Sequence, residues 1–176
     1  YQGVRLFGEY GSGNSWKMVG SWYHKIGDNI GLSVIGQYQS TDGFYDNEYN
    51  GEKCDWEKMM SGRVKFEWRI SRRVSLFNTF SVSNLHQGGY PYEYVPTGTI
   101  SYNVACFYKR LNINDGLTIR WLHDKFTFSS ISSVQYIDDN MTLDQDFRPI
   151  EYFTLTQAKK EWGITQDFVI KSTGES

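Results

Sequence analysis

Only three prolines and two cysteines occur among 176 residues, and the cysteines, Cys54 and Cys106, form no CxxC pair. They are compatible with a disulfide in an oxidising space, and equally with two separate thiols. The three histidines, His24, His86 and His123, are far apart and no HExxH occurs, so nothing has the spacing of a catalytic zinc site. A GxSxG elbow, a P-loop and a GxGxxG are missing too. Paired carboxylates can be distant in sequence, but nothing selects such a pair. The expectation is a protein that is not an enzyme and that carries no metal and no cofactor.

Charge of one sign is also lacking. Lys and Arg number 18 against 20 Asp and Glu, a net charge of −2, and neither sign gathers in a tail. Nucleic acid rewards concentrated positive charge, so it is not an expected partner. No run approaches the roughly 18 apolar residues of a transmembrane helix. That excludes helical spans alone, because a membrane-crossing strand needs only about 10 alternating residues. The opening "YQGVRLFGEY" has no initiator Met and no signal peptide and reads directly as a strand. A processed front or a piece of a longer chain is expected. The length suits one domain.

What the chain has is aromatics and alternation. Tyr, Phe and Trp number 13, 11 and 6, together 17% of the residues, although mean hydropathy is polar at −0.54. In "GRVKFEWRISRRVSLFNTFSVS", Val64, Phe66, Trp68 and Ile70 fall on one face and Arg63, Lys65, Glu67 and Arg69 on the other. The same period of two recurs along the chain. It predicts strands over 3–10, 15–23, 30–41, 58–70, 74–84, 112–122, 126–137 and 157–170. The links between them follow a rhythm. After the tight "GSGN", short links near 24–29, 71–73 and 123–125 alternate with long ones near 42–57, 85–111 and 138–156.

In an up-and-down sheet that rhythm puts the short turns on one rim and the long loops on the other, the habit of outer-membrane barrels. Trp16, Trp22, Tyr38, Trp68, Trp121 and Tyr136 sit near strand ends or on the apolar face, as such barrels place rings at their interfaces. The expected fold is all-β, an antiparallel up-and-down transmembrane β-barrel segment of about eight strands, with alternating short turns and long loops. A soluble sandwich or barrel alternates in the same way and remains open.

Residues 8–47, "GEYGSGNSWKMVGSWYHKIGDNIGLSVIGQYQSTDGFYDN", resemble the start of the barrel in TonB-dependent outer-membrane receptors. Gly8, Tyr10, Gly11, Ser12, Asn14 and Trp16 match the habitual first hairpin of that family, and Asp42, Gly43 and Phe44 its Asp-Gly-aromatic step. Later strand pairs are similar in layout. The resemblance implies a partial outer-membrane β-barrel domain over 1–176, about 8 of roughly 22 strands, without plug or TonB-contact segment. It implies a membrane protein of the bacterial outer membrane, part of a receptor for energy-coupled uptake of a metal chelate, vitamin or glycan. Its partners would be outer-membrane lipid, a small-molecule or glycan ligand, and TonB through segments outside the chain. A soluble all-β binding or adhesion module using aromatic loops is the alternative, and a small closed barrel with a structural role is the third reading.

Site candidates follow from composition. Tyr90, Tyr92, Tyr94 and Tyr102, in and after "HQGGYPYEYVP", can bind through ring faces and hydroxyls together. Tyr45, Tyr49 and Trp56 offer the same in the first long loop. Arg63, Lys65, Glu67, Arg69 and Arg120 are expected to face a barrel lumen, where opposite charges can satisfy one another. Arg72 and Arg73 fall in a turn. Asp138, Asp139, Asp144 and Asp146 cluster in the third long loop, but "DDNMTLDQD" does not reproduce an EF-hand.

Overall fold

Alternation becomes strand throughout the computed structural model, which describes residues 2–173. Ten strands follow one another: β1 (Gly3–Gly11), β2 (Ser15–Ile26), β3 (Ile30–Thr41), β4 (Asp46–Asn47), β5 (Glu52–Lys53), β6 (Glu57–Arg69), β7 (Val74–Gly88), β8 (Phe107–Leu122), β9 (Phe126–Asp144) and β10 (Thr154–Ser172). Eight form one sheet in the order β1-β2-β3-β6-β7-β8-β9-β10, and β4 and β5 make a small hairpin inside the first long loop. Every pairing is antiparallel. One cross-strand row runs Leu6, Gly20, Gly36, Gly62, Val82, Ile113, Tyr136 and Trp162, so the apolar positions share a face from edge to edge.

Several strands run past their expected ends. The stretch 138–144 is acidic and reads as loop because Asp and Asn are depleted in strands. It pairs nonetheless, since cations stand across from it. Lys160 reaches Asp138 at 3.5 Å, and Arg110 grips Asp139 through Nε at 2.6 Å and Nη2 at 2.7 Å. Opposite charges on neighbouring strands favour pairing. β7 and β8 likewise extend until Gly88 stands opposite Phe107.

The expectation of a transmembrane barrel is corrected. β1 pairs only with β2 and β10 only with β9, so the sheet is open at both edges rather than closed. A wall in lipid needs every backbone group paired internally, and two edges here leave a row unpaired. Closure into a small barrel fails for the same reason. Among the described residues no helix is long and apolar enough to cross a membrane.

Burial is confined to one end. Among the described residues the buried apolar side chains are Cys54, Tyr102, Cys106 and Leu143, and the buried polar ones are Asn47 and Asp144. All six belong to the long loops or to the strand end that meets them.

Candidate functional site

Three long connections, 42–56, 89–106 and 145–153, leave the same rim of the sheet, together with the tight turn at 12–14. The first is folded back on itself. The Asp55 carboxylate accepts the N–H groups of Phe44 (2.8 Å) and Tyr45 (2.9 Å). Gly43 lies beneath it at φ +92°, where a Cβ would strike that carboxylate. Asp42 donates its N–H to the Gly13 carbonyl at 2.9 Å, tying this loop to the first turn.

The loops then join one another. Glu48 N–H donates to the Ile100 carbonyl at 2.8 Å, and the Asn47 amide donates to the Tyr102 carbonyl at 2.8 Å. Asp144 N–H reaches Cys106 Sγ at 3.2 Å, and the Tyr92 ring meets Phe147 edge-on at 5.2 Å. The Arg148 guanidinium sits 5.6 Å from the Tyr94 ring centre. Gly88 and Gly89 permit this closeness, because a Cβ on either would collide with Cys54 or Cys106. The result is one cap built around Cys54, Tyr102, Cys106 and Leu143.

The cap chemistry is structural. Burial pushes both the Cys54 and Cys106 thiols up from their usual range, and burial and then the Cys54 thiol push the Tyr102 hydroxyl up. A protonated thiol is a poor nucleophile. Both cysteines are free and share one buried cluster. Asp144 Oδ1 accepts the N–H groups of Asp146 and Phe147, each at 3.0 Å. Asp146 in turn accepts those of Arg148 (3.0 Å) and Phe153 (3.1 Å). The four aspartates of the acidic stretch therefore go separate ways, two to cross-strand cations and two to loop amides. No group of three or more His, Cys, Asp or Glu suited to a metal ion occurs among the described residues.

The candidate tyrosines divide. Tyr45, Tyr49, Tyr90 and Tyr92 are exposed on the cap, while Tyr94 is half-buried beneath Arg148. Trp56 is half-buried with its ring edge-on to His86 at 4.7 Å. Tyr102, expected at a contact surface, is only 4% exposed and forms the centre of the cap. The sequence reading missed Phe44, Tyr152 and Phe153, all exposed at this rim. The signal was present in "DGFYDN" and "EYF", where rings stand in loops with no alternation to bury them. A cavity of about 320 Å³ opens under the first two loops, lined among others by Asn47, Glu52, Trp56, His86, Tyr102 and Lys109.

Arg63, Lys65, Glu67, Arg69 and Arg120 do share one face. That face encloses no lumen, because the sheet does not close. Arg73 lies at the opposite rim and pairs with Asp124 at 2.8 Å.

No family model matches the chain, and no curated protein does. Among solved structures it is similar to the ferric yersiniabactin uptake receptor FyuA from Yersinia pestis, with a TM-score of 0.80 and 16% identity over 99% of this chain and 29% of that one. At that identity the likeness is one of fold alone. The chain spans less than a third of the receptor it matches. The expected role in energy-coupled uptake is therefore corrected. Such a channel needs a closed wall, and the described residues form an open sheet. The outer-membrane placement, and outer-membrane lipid and TonB as partners, are corrected on the same ground: they were expected of a closed transmembrane wall, which the described residues do not form.

Proposed function

We propose that this chain is an all-β binding module whose contact surface is the aromatic face of the loop cap. One observation carries the reading: the first two long loops and the end of β9 share a buried cluster, so the exposed rings above it stand on a fixed platform. Aromatic side chains on a rigid support lose little conformational freedom on binding, and they offer apolar area and hydroxyls together. Tyr45, Tyr49, Tyr90 and Tyr92 are the contact residues, and Phe44 extends the surface. A ligand with a ring, such as a sugar or a planar organic chelate, suits them by stacking. The reading involves no covalent step. The fold likeness supports a common architecture with the β-domain of larger receptors and brings no activity with it.

The test titrates the protein with cellohexaose, chitohexaose and a ferric catecholate, following intrinsic fluorescence. The expected result is saturable binding of at least one probe, weakened about tenfold or more by Tyr45→Ala combined with Tyr90→Ala and Tyr92→Ala. Binding that survives the triple change intact, or no saturable response to any probe, would overturn the reading.

A further inference from the structure

Below the cap, one row of the sheet carries charge that the fold leaves unbalanced. The register places Lys58 opposite His86, and His86 opposite Lys109. Directly opposed side chains have Cβ atoms about 4.5–5.5 Å apart, so two ammonium groups flank the imidazole and a proton on it would meet like charge on both sides. The row continues to Ser40 on one side and to Asn140 and Ala158 on the other, none of them charged. The next row inward holds Met60, Asn84, Leu111 and Asp138. Asp138 is already engaged, by Lys160 at 3.5 Å and by the Tyr136 hydroxyl at 3.3 Å. In the loop above, Lys53 pairs with Asp46 at 2.8 Å and Glu52 accepts from the Asn50 amide at 3.3 Å. On the opposite face, Arg110 is taken by Asp139. Among the described residues Lys58 and Lys109 have no ion-pair partner.

This row is also walled by rings and opens into space. The Trp56 ring stands edge-on to His86 at 4.7 Å, and Lys109 Nζ lies 5.2 Å from the Phe107 ring centre. His86, Lys109, Trp56 and Phe107 all line the cavity of about 320 Å³ under the first two loops.

We propose that Lys58, His86 and Lys109 form a subsite for a phosphate-class oxyanion, the phosphate monoester of a small organic ligand whose ring lies against Trp56 and Phe107. Two ammonium groups and an imidazole N–H supply donors to a dianion, and charge-assisted hydrogen bonds are the stronger kind. The dianion supplies the negative charge that the two lysines of the row lack. The free protein shows the reverse field. Burial, then Lys109 and Lys58, hold the His86 imidazole below its usual value. A bound dianion raises it, so affinity for the dianion itself rises as His86 takes up its proton, until the ester is protonated in turn near its own second pKa of about 6. The subsite lies on strand positions outside the exposed tyrosines, and it stands independently of the binding reading for the cap.

The experiment titrates phenyl phosphate, and inorganic phosphate as the ringless probe, into the intact chain at constant ionic strength. Histidine ring resonances are followed against pH. The expected result is saturable binding, tighter for phenyl phosphate, with the His86 midpoint moving up. Lys58→Gln with Lys109→Gln should weaken binding about tenfold or more. It should also raise the His86 midpoint in the free protein, which reports the charge row without any ligand. Lys58→Arg with Lys109→Arg should retain binding, separating charge from folding. Phosphatidylcholine vesicles with and without phosphatidic acid form the second arm. Binding to the phosphatidic acid vesicles with no response to phenyl phosphate would overturn the small-ester assignment and put the oxyanion on a lipid headgroup. A His86 midpoint unmoved by phenyl phosphate, inorganic phosphate or these vesicles, or a Gln variant that binds as well as the parent, would overturn the subsite itself.

Discussion

Tyr102 lies in an irregular loop and is 4% exposed, whereas Trp162 lies mid-strand in a regular ladder and is 71% exposed. The cap has burial with little regular pairing, and the sheet has regular pairing with full burial only at the end of β9. An apolar sheet face normally needs a second layer. Here the loops pack together only at one rim, and along β10 Trp162, Ile164, Phe168 and Ile170 all stay exposed. Tight turns, a shared apolar face and cross-strand ion pairs set the register of this sheet, but packing decides which part of the molecule resists change. The cap is where a side chain is costly to lose.

The largest effect should come from the centre of the cap. Tyr102→Ala is expected to cost about 3–5 kcal/mol, the range for deleting a large buried aromatic ring. Denaturant unfolding measures it, and hydrogen exchange should show amides of 42–56 and 89–106 losing protection together. A cost below about 1 kcal/mol would erase the distinction between cap and sheet. Gly89→Ala comes next. Its Cβ would meet Cys106, and the overlap should cost about 1–3 kcal/mol.

The pair Arg110–Asp139 should matter less, because Arg110 is substantially exposed. The Arg110 guanidinium beside Asp139 holds that carboxyl below its usual range. A depressed folded-state value means that the contribution is present above the ordinary carboxylate value of about 4. It is lost as pH falls through the depressed value. Asp139→Asn should remove about 1 kcal/mol or less at pH 7 and flatten the acid limb of stability against pH. An unchanged acid limb would count against the pair. The smallest effect is expected on the open face. Ile164→Thr, at a position 76% exposed, should change stability by about 0.5 kcal/mol or less. A loss of several kcal/mol would mean that something covers this face in solution.

Legibility in the sequence followed the same division. Strand positions and faces could be read because period two needs only neighbours in sequence, as Val64, Phe66 and Trp68 show. The alternation of short and long links was legible for the same reason. Closure was not, because it depends on whether β1 meets β10, and no local pattern records that meeting. The extent of β9 escaped because Asp138 and Asp139 look like loop until Lys160 and Arg110 are placed across from them. Tyr102 was assigned to a surface because nothing in "ISYNVAC" announces that Asn47, 55 positions earlier, will hold its carbonyl. The charge row Lys58–His86–Lys109 was invisible too. Its members come from three strands, and only register brings them side by side.

The distribution of turns has a kinetic consequence. Three hairpins, β2–β3, β6–β7 and β8–β9, close through tight links at the rim opposite the cap. Such closures are local, and a hairpin forms in about 1–10 μs. The cap joins segments such as 47 and 102, so its contacts wait until the hairpins have aligned, and non-local closure slows folding. Changes inside the cap should then speed unfolding far more than they slow folding, with φ-values near zero. Changes at the tight turns should do the opposite. The surface proposed to bind is the last part of the chain to assemble, and its lifetime is governed by the unfolding rate.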